Sequence, residues 1–222
     1  MSLFFTSAKI FKKDFKSELR NRYVINSLLM FVLVTISIIK FSIGDEKVDG
    51  DILSGLLWIV IFFAAISGLA RVFIKEEEKE TSFALKLSVD PISIFLGKLF
   101  FNLALTFFVN IFIFILFVLI TSFEIKNFSA FVIIIILGNI GMVSASTIIA
   151  AIISKANTKG TLYPVLAFPV MLPLLITVIN ATKLASAGAD TYTIFSEYQI
   201  LFSYAVVITT VSLLLFKFVW ED

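Results

Sequence analysis

Apolar residues in this chain gather into six long runs, interrupted only by isolated amides, hydroxyls, glycines and prolines. A helix needs roughly 20 apolar residues to cross a hydrocarbon core of about 30 Å. The runs reach that length at about Val24–Ile43, Ile52–Ile74, Leu99–Phe123, Phe128–Ile153, Leu162–Ile179 and Ile200–Trp220. Inside a bilayer the backbone has no water to bond, so these runs must be helices, and they are too long for barrel strands of about ten residues. The pattern therefore predicts an all-α, polytopic membrane protein with six transmembrane helices, forming one transmembrane domain over residues 1–222. Pro164, Pro169 and Pro173 fall in the fifth run and predict a bent or broken helix.

Before the first run the pattern changes. Phe4, Ala8, Phe11, Phe15, Leu19 and Tyr23 recur at spacings of four and three, while Lys9, Lys12, Lys13, Lys16 and Arg20 fall elsewhere around the helix. This predicts an amphipathic helix over residues 1–23, lying in the membrane interface with Phe4, Phe11 and Phe15 inward and Lys12, Lys13 and Lys16 toward anionic headgroups. The plainer reading is a charged leader that only enforces topology. More than twenty residues precede the first run, so no cleaved signal peptide is expected.

Charge then sets orientation. Of the 18 basic residues, fourteen lie in the leader, in the segment between runs two and three, at Lys155 and Lys159, or at Lys217. Lys40, Lys47, Lys126 and Lys183 take the other side. Basic residues favour the cytoplasmic face, so both termini are expected inside, with residues 183–199 forming an extracytoplasmic loop. The net charge of +2 is too small to argue for nucleic acid.

Composition removes most chemistry. The chain is 59% hydrophobic with no cysteine and no histidine, which excludes disulfides, thiolate metal sites and imidazole catalysis. No HExxH, GxSxG or GxxxxGK[ST] motif occurs, so the chain is not expected to be an enzyme or to bind ATP by a phosphate-binding loop. No acid or base lies near the middle of a predicted span, which argues against a proton relay or voltage sensor, and nothing marks an ion channel. Asn102, Thr106 and Asn110 step by four, and Asn139, Ser144, Ser146 and Thr147 follow in the next run. These groups either line a substrate path or, more plainly, bond between helices. Gly138, Gly141 and Ala145 in GNIGMVSAS mark a close helix approach.

The segment of residues 75–98, KEEEKETSFALKLSVDPISIFLGK, is the one long charged connector. Glu76, Glu77, Glu78 and Glu80 crowd the expected start of a short helix, where the helix dipole favours acids. Asp90 and Pro91 stop it, and a second short helix is expected to lead to Gly97 and Lys98. It reads either as a solvated connector or as a docking surface for a soluble partner.

ELRNR before run one, SGLLWIVIFFAAISGLARVFIKEEEKETSFALKLSVDPISIFLGK, and SKANTKGTLYPVLAFPVMLPLLITVINATK together resemble the CcmB family of haem-exporter membrane subunits, across nearly the whole chain. The resemblance implies a non-catalytic permease subunit of an ABC-type complex in the bacterial inner membrane, acting in cytochrome c maturation. Its expected partners are an ATPase resembling CcmA, membrane companions resembling CcmC and CcmD, and a haem chaperone resembling CcmE. ATP would be bound by the partner, haem would be cargo, and no cofactor would be held by this chain. Residues 75–98, with Glu76, Glu77, Glu78, Glu80, Asp90, Pro91 and Lys98, would then be the ATPase-coupling loop. Two other readings remain: a generic ABC exporter permease for a drug, lipid or polysaccharide, and a membrane scaffold that transports nothing.

Overall fold

A computed structural model describes residues 3–44, 46–69, 73, 85, 87–155 and 162–221. Among them are seven helices and no strand: α1 (Leu3–Asn21), α2 (Tyr23–Ile43), α3 (Gly50–Leu69), α4 (Pro91–Thr121), α5 (Phe128–Ser154), α6 (Leu162–Ala187) and α7 (Thr191–Glu221). All but α1 are long and apolar enough to span a membrane. The class is all-α, as the hydrophobic runs predict.

The chain enters α2 through a single residue. Arg22 adopts φ 48°, a left-handed conformation uncommon outside glycine, and its N–H donates to the Glu18 carbonyl at 2.7 Å. That one residue separates α1 from the spanning bundle. Further on, Ser122 (φ 56°) ends α4 and Gly188 (φ 85°) turns α6 into α7.

α3 and α5 form the centre. About two thirds of each apolar span is buried, against 17% in α2 and 22% in α7, so the outer helices offer most of their surface to whatever surrounds the bundle. Close approach depends on two glycines of α5. A Cβ at Gly138 would come within 2.7 Å of the Trp58 ring and 2.9 Å of Val178, and one at Gly141 within 2.9 Å of the Tyr204 ring. Small residues let helices approach where lipid tails provide no hydrophobic drive.

Three expectations change. First, α4 begins at Pro91 and runs unbroken for 31 residues, so no separate short helix precedes Gly97. Asp90 caps it, its carboxylate accepting from the Ser93 N–H at 3.3 Å, and Pro91 occupies the first turn, where a missing N–H costs nothing. Second, the segment 183–199 is not a loop: α6 extends to Ala187, α7 starts at Thr191, and only residues 188–190 turn. Third, of the bent or broken helix expected, the break is absent: α6 is continuous from Leu162 to Ala187 with Pro169 and Pro173 inside it. Pro164 sits in the first turn, while Pro169 and Pro173 withhold the N–H groups that the Val165 and Pro169 carbonyls would accept from. Two other carbonyls of this stretch accept a hydroxyl: Tyr204 Oη donates to Val170 O at 2.8 Å and Thr177 Oγ1 to Pro173 O at 2.9 Å.

Candidate functional site

The two ends of the bundle differ. At one end the links α2–α3, α4–α5 and α6–α7 converge: the Asn127 N–H donates to Ala185 O at 3.0 Å, Asn127 Nδ2 to Ala189 O at 2.9 Å, and Lys183 lies 3.7 Å from Asp51. Between them opens a cleft of about 570 Å³ with Lys40, Lys47 and Lys126 beside Glu46, Asp49 and Glu124. Among the described residues, the four lysines assigned by sequence to the far side do gather at one end.

At the opposite end α1 packs on the start of α4. The contact is tight because Gly97 has no side chain: a Cβ there would lie 2.7 Å from Ile10 Cβ and 2.9 Å from the Ser7 carbonyl. One turn along α1, Asp14 Oδ2 stands 3.3 Å from Lys98 Nζ, whose side chain is 2% exposed. The same ammonium lies 5.0 Å from the centroid of the Phe73 ring, within cation–π range. Phe73 in turn touches Phe216 and Trp220 of α7, and Phe95 meets Phe216 at 5.1 Å between centroids. α1, Phe73 beyond the end of α3, the base of α4 and the end of α7 thus share one cluster around a buried cation.

This geometry redraws α1. Its protein-facing side is Ser7, Ile10 and Glu18, with exposures of 1%, 5% and 5%, and not the apolar stripe picked out by periodicity. Of that stripe Phe4 is 74% and Phe15 45% exposed, and Phe11 is partly buried. Lys12, Lys13 and Lys16 lie on a third side, Lys13 3.4 Å from Asp14. The helix therefore has separate apolar, basic and protein-contacting faces.

Of the predicted coupling residues, Glu76, Glu77, Glu78 and Glu80 lie outside the described residues. Asp90 is exposed and Pro91 half-buried at the start of α4. Lys98 is buried, so it cannot itself touch a soluble partner. Sequence reading missed Ser7, Ile10, Asp14 and Phe73. The available signal was that Asp14 and Glu18, one turn apart, are the only acids in a basic leader, on the face that also carries Ile10.

In the interior, the amides and hydroxyls bond between helices. Asn102 Nδ2 donates to Thr147 Oγ1 at 2.9 Å, Asn110 Nδ2 to Asn139 Oδ1 at 3.1 Å, and the buried Trp58 Nε1 to Thr182 Oγ1 at 2.8 Å. Ser144 and Thr209 share a bond of 2.8 Å. The packing account of these groups fits better than a polar path, although Asn102 Oδ1 and Ser146 Oγ are buried without a partner among the described residues.

The family described as CcmB protein matches residues 5–219, nearly the entire chain. The chain belongs to the CcmB family. A comparison with curated proteins gives no match. CcmB membership and the six-span helical fold together support a multi-pass haem-exporter permease, a membrane subunit whose family associates with ABC-transporter partners.

Proposed function

We propose that this CcmB-family chain is the permease subunit of an ABC-type complex in cytochrome c maturation, coupling ATP hydrolysis by a CcmA-like ATPase to release of a haem-loaded, CcmE-like chaperone. CcmC-like and CcmD-like membrane proteins are its companions. The charged segment of residues 75–90 docks on the ATPase, and both termini are cytoplasmic, on the side that carries fourteen of the basic residues.

The observation that carries the coupling step is the continuity of α4 from its cap at Asp90. A helix rises about 1.5 Å per residue, so a push at Pro91 reaches the far end of a rod of about 46 Å without an intervening hinge. The α1 contact adds to this: with Ile10 seated on Gly97 and Asp14 on Lys98, α1 and the base of α4 move as one body. Only Asp90, at the exposed edge, and the acids before it meet the ATPase; Lys98 acts behind them. At the other end, the mixed-charge cleft between Lys40, Lys126 and Glu124 takes the place of the expected 183–199 loop as the surface offered to a companion or the chaperone.

The docking step is tested by changing Glu76, Glu77 and Glu78 together to Lys. Charge reversal predicts that the ATPase no longer co-purifies while the permease still inserts and purifies. Undiminished co-purification rejects the docking assignment.

A further inference from the structure

A groove of about 600 Å³ runs between α1 and the segment that opens α4. On the α1 side stand Thr6, Lys9 and Lys13, three and four residues apart on one helical face, and on the α4 side stand Asp90 and Ser93. Around it Leu3, Phe4, Phe5, Leu87 and Ile92 are all exposed, though none belongs to the six apolar runs. Exposed apolar side chains beside lysines, just outside a hydrocarbon span, are the pattern of a membrane interface, where amphipathic segments lie among headgroups.

The polar groups of this groove are not used up within the protein. Ser93 is 3% exposed, yet its hydroxyl makes no hydrogen bond to a described residue. Lys9 meets no acid among the described residues; its ammonium lies 4.5 Å over the Phe5 ring. Lys13 pairs with Asp14 at 3.4 Å. Asp90 Oδ2 accepts the Ser93 N–H, while Oδ1 accepts nothing from a described residue. A hydroxyl so deeply placed without a partner is costly. Two ammonium groups, two hydroxyls and the positive end of the α4 dipole together suit an oxyanion, and Asp90 at the edge suits a cation beside it.

We infer that this groove holds the headgroup of a phospholipid that carries both a phosphate and a primary ammonium, as phosphatidylethanolamine does. The phosphate sits with Lys9, Lys13, Thr6 and Ser93, the ammonium with Asp90, and the acyl chains leave along the apolar rim. Charge selects the lipid. A purely anionic headgroup sets its charge beside Asp90 with nothing to offset it, and the quaternary ammonium of a choline lipid has no N–H to donate to a carboxylate. A carboxylate has about four acceptor sites, so the α4 cap, the headgroup and the proposed ATPase contact can share Asp90. The inference rests on the membrane-spanning fold and not on the role in cytochrome c maturation, so either can fail alone.

The test titrates the full chain, purified in detergent, with phosphatidylethanolamine, phosphatidylglycerol and phosphatidylcholine of the same acyl chains, reading bound lipid by native mass spectrometry. The expected result is a single ethanolamine lipid held about tenfold more tightly than either of the others, as the loss of one charged hydrogen bond implies. Lys9→Gln should weaken that lipid about tenfold. Lys12→Gln, outside the groove, should leave it unchanged; both lysines are exposed, so the fold survives either change. Asp90→Asn keeps an N-cap oxygen and should bring the ethanolamine lipid down to the level of the choline lipid. Equal affinity for the three lipids or undiminished binding in Lys9→Gln would overturn the inference. So would full displacement of the lipid by excess inorganic phosphate, which would assign the groove to a free anion. Loss of a co-purifying soluble partner in Lys9→Gln, with lipid binding intact, would overturn it in favour of a protein in the groove.

Discussion

Lys98 Nζ lies 3.3 Å from Asp14 Oδ2, with the lysine side chain 2% exposed and the carboxylate beneath the same helix crossing. A lysine in so apolar a setting is tolerated because a carboxylate and the Phe73 ring both face it. The contact fixes α1 to the base of α4 and explains why Gly97 precedes Lys98: any larger residue would hold α1 away.

Removing one charge of a buried pair costs more than removing both. Asp14→Ala takes the carboxylate from a buried cation and should destabilise the protein by about 3 kcal/mol. Lys98→Met should cost less, and Asp14→Leu with Lys98→Met should fall near the parent protein. Thermal unfolding in detergent, followed by circular dichroism, checks the order. Equal losses for all three would mean the pair carries no special weight.

Gly97→Ala puts a methyl against both Ile10 and the Ser7 carbonyl. Overpacking of this kind costs about 1–3 kcal/mol. Because alanine keeps the Ile10 Cβ and the other clash is with backbone, adding Ile10→Ala should recover only a small part of the loss. Limited proteolysis should cut α1 faster in Gly97→Ala than in the parent; an unchanged cleavage rate would show that α1 is not seated as described.

Trp58 and Thr182 join α3 to α6 where Gly138 lets the indole in. Interhelical hydrogen bonds in membranes are worth about 0.6 kcal/mol on average. A double-mutant cycle with Trp58→Phe and Thr182→Val should return a coupling of about that size. A coupling indistinguishable from zero would remove this bond from the account.

Asp90 offers a way to separate capping from docking. Asp90→Asn keeps an N-cap oxygen and loses the charge, Asp90→Lys loses both, and an N-cap loss costs about 1 kcal/mol. Thermal stability should therefore hold in the first and fall in the second. If the charge also docks a partner, both should weaken association with the ATPase; association unchanged in Asp90→Asn would confine Asp90 to its cap.

The spans were legible because lipid imposes a length and a period on sequence that little else can imitate. Helix ends were less so. α4 and α7 start at Pro91 and Thr191 and not at Leu99 and Ile200, because hydropathy registers the hydrocarbon core while helices continue past it through polar residues such as Lys98 and Glu197. α6 is continuous through Pro169 and Pro173, and the Tyr204 hydroxyl that reaches Val170 O from α7 is visible only once the two helices are adjacent. On α1 the strongest periodic stripe was apolar, yet the bundle uses the weaker Ser7–Ile10–Asp14 face, since shape against Gly97 and charge against Lys98 decided the contact. The α5 glycines and the Asn102 and Asn110 amides read correctly as packing signals, because in lipid small and polar residues are what bring helices together.

The measurement that bears most directly on the role in cytochrome c maturation is deletion of this gene in its native host, with covalent haem on periplasmic c-type cytochromes assayed beside the haem-bound state of the chaperone. The account predicts that haem-bearing cytochrome c disappears while haem stays trapped on the chaperone. Normal cytochrome c in the deletion strain would contradict it.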